Sequence, residues 1–174
     1  MPSRKSLRLP EYEYNTPGVY FVTICTKERT PILGTIVGAG DHTGPYPRSS
    51  HTAVGADDYI GPYTQLTKIG KLVEKYTQSI PGIDRYVIMP DHVHMILRVS
   101  AETETEGPMW SSAPTKRNVS TTVRSWKTLI TKELGESIWQ RSYYEHVIRN
   151  ETDYWEIVKY IEQNPAKWYY RRGR

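Results

Sequence analysis

Two periods organise the hydrophobic positions of this chain. Residues 18–26 (GVYFVTICT) are β-branched and aromatic, with Pro17 before them and Lys27-Glu28 after, which predicts a buried strand. Leu66, Ile69, Leu72, Val73, Tyr76 and Ile80 then recur at helical spacing until Pro81-Gly82 stops the run. Residues 85–89 (RYVIM) and 92–99 (HVHMILRV) flank Pro90-Asp91 and predict two antiparallel strands around a tight turn. Val119, Val123, Trp126, Ile130 and Leu134 mark one face of a second helix, while Arg117, Arg124, Lys127 and Lys132 lie mostly off it. A fourth strand is expected within residues 138–147. Asn150, Glu151 and Asp153 then supply a cap and first-turn acids for a last helix. Its apolar stripe is Tyr154, Ile157, Val158 and Ile161, and Asn164-Pro165 is expected to end it, because a residue before proline avoids the α region.

The resulting order is β, α, β, β, α, β and a terminal helix. It predicts an α+β, ferredoxin-like architecture: a four-stranded antiparallel sheet with helices packed on one face, followed by the terminal helix. The length of 174 residues suits a single domain spanning 1–174. Residues 38–62 are rich in Gly, Pro, Ser and His, and residues 101–115 are polar and acidic; both read as surface insertions rather than core. There are no internal repeats.

Composition narrows the picture modestly. Lys and Arg number 23 against 19 Asp and Glu, a mild basic excess that permits a polyanionic partner. One cysteine, Cys25, rules out a disulfide framework and a cysteine-based zinc site, and fits a reducing cytoplasm. No run approaches the roughly 20 apolar residues of a membrane span, so the expectation is a soluble, unexported protein.

Alternation across residues 92–99 sends Val93, Met95, Leu97 and Val99 to one face and His92, His94, Ile96 and Arg98 to the other. The two imidazoles are then side by side and able to converge on one metal ion; equally, they can be polar residues on an exposed sheet face. On the last helix, Glu156, Tyr160 and Asn164 share a stripe at four-residue spacing. Tyr160 is the candidate nucleophile, a weak one until the phosphate it attacks is polarised, and Asn164 can lend an amide oxygen to the same metal. The alternative is an amphipathic-helix tyrosine followed by a helix-ending asparagine, in a chain with 14 tyrosines. Arg124 and Lys127, with Arg141, Arg149, Lys159, Lys167, Arg171 and Arg172 toward the end, are candidate DNA contacts. Trp155, Trp168, Tyr169 and Tyr170 lie among the latter, and cations beside aromatic rings suit single-stranded nucleic acid.

The segment VIMPDHVHMIL at 87–97 resembles the His-hydrophobic-His motif of the single-tyrosine HUH transposases. IWQRSYYEHVIRNE, YIEQNPAKW, GVYFVTICTKER and LTKIGKLV are similar to their REP-associated branch, the REP-associated tyrosine transposases. The resemblance implies His92, His94 and Asn164 as ligands of Mg²⁺ or Mn²⁺, with zinc chemically compatible, and Tyr160 as the nucleophile. Asp91 stands where relatives often have Asn. The implied activity is cleavage and rejoining of single-stranded DNA at hairpin, REP-like palindromic sequences through a 5′-phosphotyrosine, by a cytoplasmic, nucleoid-associated monomer or homodimer. Rival readings are a hairpin-binding module without cleavage and, behind it, a metal-dependent hydrolase.

Overall fold

The computed structural model describes residues 16–38, 61–100 and 118–172. Its elements are β1 (Gly18–Cys25), β2 (Gly34–Val37), β3 (Tyr63–Leu66), α1 (Lys68–Gln78), β4 (Ile83–Ile88), β5 (His92–Val99), α2 (Val119–Leu134), β6 (Tyr144–Ile148) and α3 (Glu151–Arg172). Four of the strands form an antiparallel sheet in the order β4-β5-β1-β6, the ferredoxin-like order expected from the alternation of elements. The expected insertions fall almost wholly outside the described residues.

The sheet has a core on each face. Tyr20, Val22 and Ile24 of β1 and Val93, Met95 and Leu97 of β5 pack with Val73 of α1 and Val119, Val123, Trp126 and Ile130 of α2. Phe21, Ile96 and Ile148 point the other way and are covered by Val158 and Ile161 of α3. The paired helices thus occupy one face, and the terminal helix closes the opposite one. Caps fix the helix starts: Thr67 Oγ1 accepts from the Gly70 N–H at 3.0 Å, Asn118 Oδ1 from Thr121 at 2.8 Å, and Asn150 Oδ1 from Asp153 at 2.8 Å.

Three local features differ from the sequence reading. Leu66 ends a strand instead of opening the helix, and β2 pairs with β3 in a separate two-stranded sheet. That hairpin is tied to the turn before His92, since the Leu33 N–H donates to the Pro90 carbonyl at 2.9 Å and Thr67 N–H to the Leu33 carbonyl at 3.0 Å. The fourth strand of the main sheet, β6, begins at Tyr144, with Trp139 forming only an isolated bridge to Thr26. The third difference is that α3 runs through Pro165 to Arg172. A proline there gives up the hydrogen bond to the Ile161 carbonyl, at a cost of about 3 kcal/mol. Packing beyond it outweighs the break: Trp168 lies 5.8 Å from the His92 ring, and α3 rests on β2 and β3, so close that a Cβ on Gly38 would stand 2.6 Å from the Tyr169 hydroxyl.

Two stretches of backbone are constrained. Gly82 has φ +82°, and a Cβ there would meet the Arg98 carbonyl oxygen at 2.2 Å. Gly82→Ala is therefore expected to lower stability by at least roughly 1–3 kcal/mol, read as a lower urea midpoint at unchanged slope. In the turn after β1, Glu28 and Arg29 both hold left-handed conformations, φ 53° and 55°. Such non-glycine residues cost on the order of 1–3 kcal/mol each.

Candidate active site

In β5 the alternation that buries Val93, Met95 and Leu97 toward α1 and α2 turns His92 and His94 toward α3. Because α3 covers that face, neither histidine lies on an exposed sheet: they are 6 % and 4 % exposed. Their Nε2 atoms face each other at 3.0 Å.

Each ring is oriented from behind. Asp91 contacts His92 Nδ1 through Oδ1, and Thr23, paired with His94 across the β1–β5 ladder, holds His94 Nδ1 at 2.8 Å. A carboxylate on Nδ1 keeps the proton there and leaves the Nε2 lone pair of His92 pointing at its neighbour. Burial is the main reason both imidazoles favour the neutral form. His94 is pushed down to about 3 by burial, then by the nearby His92 and Arg29 charges. His92 is lowered by burial, against an opposing pull from Asp91.

Two neutral nitrogens at 3.0 Å are repulsive unless a proton or a cation lies between them. Nitrogens bound about 2.0–2.1 Å from one ion, at angles between octahedral and tetrahedral, stand about 2.8–3.4 Å apart, so the pair fits a shared metal. Among the described residues no group of three His, Cys, Asp or Glu gathers to form a closed site. A metal held here would need donors beyond the two imidazoles that are not among those four residue types.

Tyr160 reaches the same point from α3. Its hydroxyl is 3.5 Å from His94 Nε2, and its ring packs edge-on against Phe21 and His94, with centroids at 6.0 and 5.2 Å. The residue as a whole is 41 % exposed. Lys167 Nζ lies 5.5 Å from the centre of the Tyr160 ring. Asn164, one turn beyond, is buried, and its Nδ2 lies 3.5 Å from the Tyr160 carbonyl, which leaves Oδ1 as its acceptor atom. Glu156, expected on the same stripe, is exposed.

The candidate DNA contacts divide into two groups. Arg149, Lys159, Lys167 and Arg171 are exposed at the start of α3 or along it, and Arg141 is exposed before β6. Arg172 closes α3, its side chain outside the described residues. Arg124 and Lys127 belong to α2, across the sheet from the histidines. Lys127 Nζ is occupied there, donating to the Gln140 and Ser142 carbonyls at 2.8 and 3.4 Å, and burial lowers its pKa.

Thr23 and Phe21 escaped the sequence reading as site residues, since only strand register places them beside His94. Asp91 was visible as the residue preceding His92, but its contact with Nδ1 makes it an orienting group.

Comparison with known proteins identifies the family. A family model described as "Transposase IS200 like" matches residues 66–164. An uncharacterised Haemophilus influenzae protein is 29 % identical over 95 % of this chain and 89 % of its own length. A REP-associated tyrosine transposase of Escherichia coli is 33 % identical over 60 % of this chain and 56 % of its own. The solved structure of a REP-associated tyrosine transposase bound to a REP hairpin shares the fold, with TM-score 0.52 at 22 % identity, covering 91 % of this chain and 74 % of that one. The matched family span is more than half of the chain and contains the histidine pair, Tyr160 and Asn164, and on that match the chain belongs to the IS200-like transposase family, with the REP-associated tyrosine transposases among its relatives.

Proposed function

We propose that this protein cuts and rejoins single-stranded DNA at hairpin-forming sequences, with Tyr160 as nucleophile and His92, His94 and Asn164 holding Mg²⁺ or Mn²⁺. The observation that carries this reading is convergence: the Tyr160 hydroxyl lies 3.5 Å from the His94 nitrogen that itself faces His92 at 3.0 Å. A metal held there supplies Lewis-acid polarisation of a non-bridging phosphate oxygen. Tyr160 Oη forms the new bond to phosphorus, the bond to the 3′-oxygen breaks, and the phenolic proton ends on the departing 3′-hydroxyl. Phe21 and His94 hold the ring in position, and the Lys167 ammonium beside it favours developing phenolate charge. Asp91 and Thr23 keep the imidazoles aligned. The bond type is conserved, so a free 3′-hydroxyl can reverse the step without ATP. One nucleophile allows one cut per site, and two cuts require two subunits. Such a protein works at the nucleoid, as a monomer or homodimer.

The test is a denaturing gel after incubation with hairpin oligonucleotides bearing single-stranded flanks and Mg²⁺ or Mn²⁺. A covalent protein–DNA band is expected; binding without a band on any such substrate would leave a hairpin-binding module. Substrate form gives a second expectation. Tyr144, Trp155, Tyr169 and Tyr170 are large exposed aromatics, and bases must be unstacked to meet them. A hairpin with a single-stranded flank should bind about tenfold more tightly than a full duplex of the same sequence at moderate salt, measured by fluorescence anisotropy. Equal affinities would reduce the interaction to phosphate contacts.

A further inference from the structure

We propose that Arg29 grips the DNA strand on the leaving side of the cut, at the phosphate one nucleotide 5′ of the scissile one, and so retains the 3′-hydroxyl strand for rejoining. This rests on the strand-transfer reading above and adds a residue outside its set of DNA contacts.

The site has a direction. Tyr160 stands at His94, and His92 follows on the far side of the pair. Asp91 contacts His92 Nδ1, and Arg29 Nη1 lies 3.9 Å from the same Asp91 oxygen. Arg29 is thus separated from the nucleophile by the histidine pair. In an in-line displacement the leaving oxygen departs opposite the attacking one, so a strand that leaves Tyr160 along the line of the histidine pair would pass Arg29.

The local backbone is built to present this side chain. Arg29 and Glu28 take left-handed conformations that glycine would adopt freely. The turn is anchored by Thr26, fully buried, whose N–H and hydroxyl reach the Asp91 carbonyl at 2.9 and 3.0 Å and whose hydroxyl also reaches the Thr30 carbonyl at 2.8 Å. The guanidinium itself is 55 % exposed, and only a long 3.9 Å ion pair ties it to Asp91, whose side chain is 8 % exposed. A strained, anchored, exposed arginine beside a phosphate-handling site suits bidentate phosphate recognition.

The experiment uses the full chain and gel-purified covalent adducts of the wild type, Arg29→Gln, Arg29→Lys and Arg29→Gly. Each adduct is titrated with a labelled 3′-hydroxyl strand in Mg²⁺, and the half-saturating strand concentration for rejoining is read. Arg29→Gln is expected to raise it about 10- to 100-fold, with Arg29→Lys in between. A strand carrying an uncharged methylphosphonate at its last linkage should weaken the wild type by a similar factor and Arg29→Gln no further. Arg29→Gly should show the same rejoining defect while melting at or above the wild-type temperature, since it relieves the backbone and keeps the fold. Rejoining by Arg29→Gln at wild-type strand concentrations would overturn the proposal, as would additive losses from the variant and the methylphosphonate. Failure of the wild type to form any adduct would instead remove the strand-transfer reading itself.

Discussion

Tyr160→Phe is expected to eliminate covalent attachment to DNA, leaving less than about one thousandth of the wild-type adduct, while the fold and hairpin binding persist. The hydroxyl oxygen is the only heavy atom lost, and among the described residues its hydrogen-bond partner is His94 at a long 3.5 Å. The ring that remains keeps its edge-on packing on Phe21 and His94. Because the side chain is already 41 % exposed, unfolding free energy should change by no more than about 0.5 kcal/mol. Retained affinity with no adduct separates chemistry from binding, which a destabilised variant could not do. The measurement pairs a denaturing gel for the adduct with anisotropy for binding on the same hairpin. Adduct at the wild-type level would move the nucleophile to another of the 14 tyrosines.

What the sequence disclosed depended on the range of the interaction concerned. Alternation within residues 92–99 sorted His92 and His94 from Val93, Met95 and Leu97, because strand geometry is local, and the structure keeps that sorting. Whether the histidine face was exposed or buried was beyond a strand pattern; it is decided by α3, which docks on Phe21, Ile96 and Ile148. Thr23 is 71 residues from His94 in the chain, and only the β1–β5 register brings them together. The β2–β3 hairpin was illegible for another reason. Its strands are four residues each, too short for a period to declare itself, and Leu66 fits the helical spacing of α1 equally well. Pro165 shows a local rule losing to tertiary contact, since Trp168 and Tyr169 find partners only if the helix continues past it. Lys127 shows the limit of reading charge as function: its neighbours are backbone carbonyls brought by the fold.

His92→Ala and His94→Ala are each expected to abolish metal-supported cleavage and to weaken Mn²⁺ binding by more than about 100-fold, beyond what loss of an outer partner causes. The reason lies in how few donors the site has. Among the described residues no third His, Cys, Asp or Glu joins the pair, so with the proposed ligands removing one imidazole would leave one nitrogen and the Asn164 amide oxygen. Binding should be measured on the protein alone, by calorimetry or by the Mn²⁺ resonance signal, so that metal affinity is read independently of catalysis. Asp91→Ala provides the graded case. It removes the group behind His92 Nδ1 without touching a candidate ligand, and should cost about 10- to 100-fold in metal affinity. Asp91→Asn should lose less, because an amide oxygen still accepts from the imidazole N–H and fixes the same tautomer. This ordering, with the alanine ligand variants worst, Asp91→Ala intermediate and Asp91→Asn mildest, follows from the geometry only if the ion sits between the two Nε2 atoms. Cutting that continues undiminished in excess chelator, or Mn²⁺ affinity unchanged in both histidine variants, would take the metal out of the mechanism and leave the short Nε2 contact as a hydrogen bond between two imidazoles.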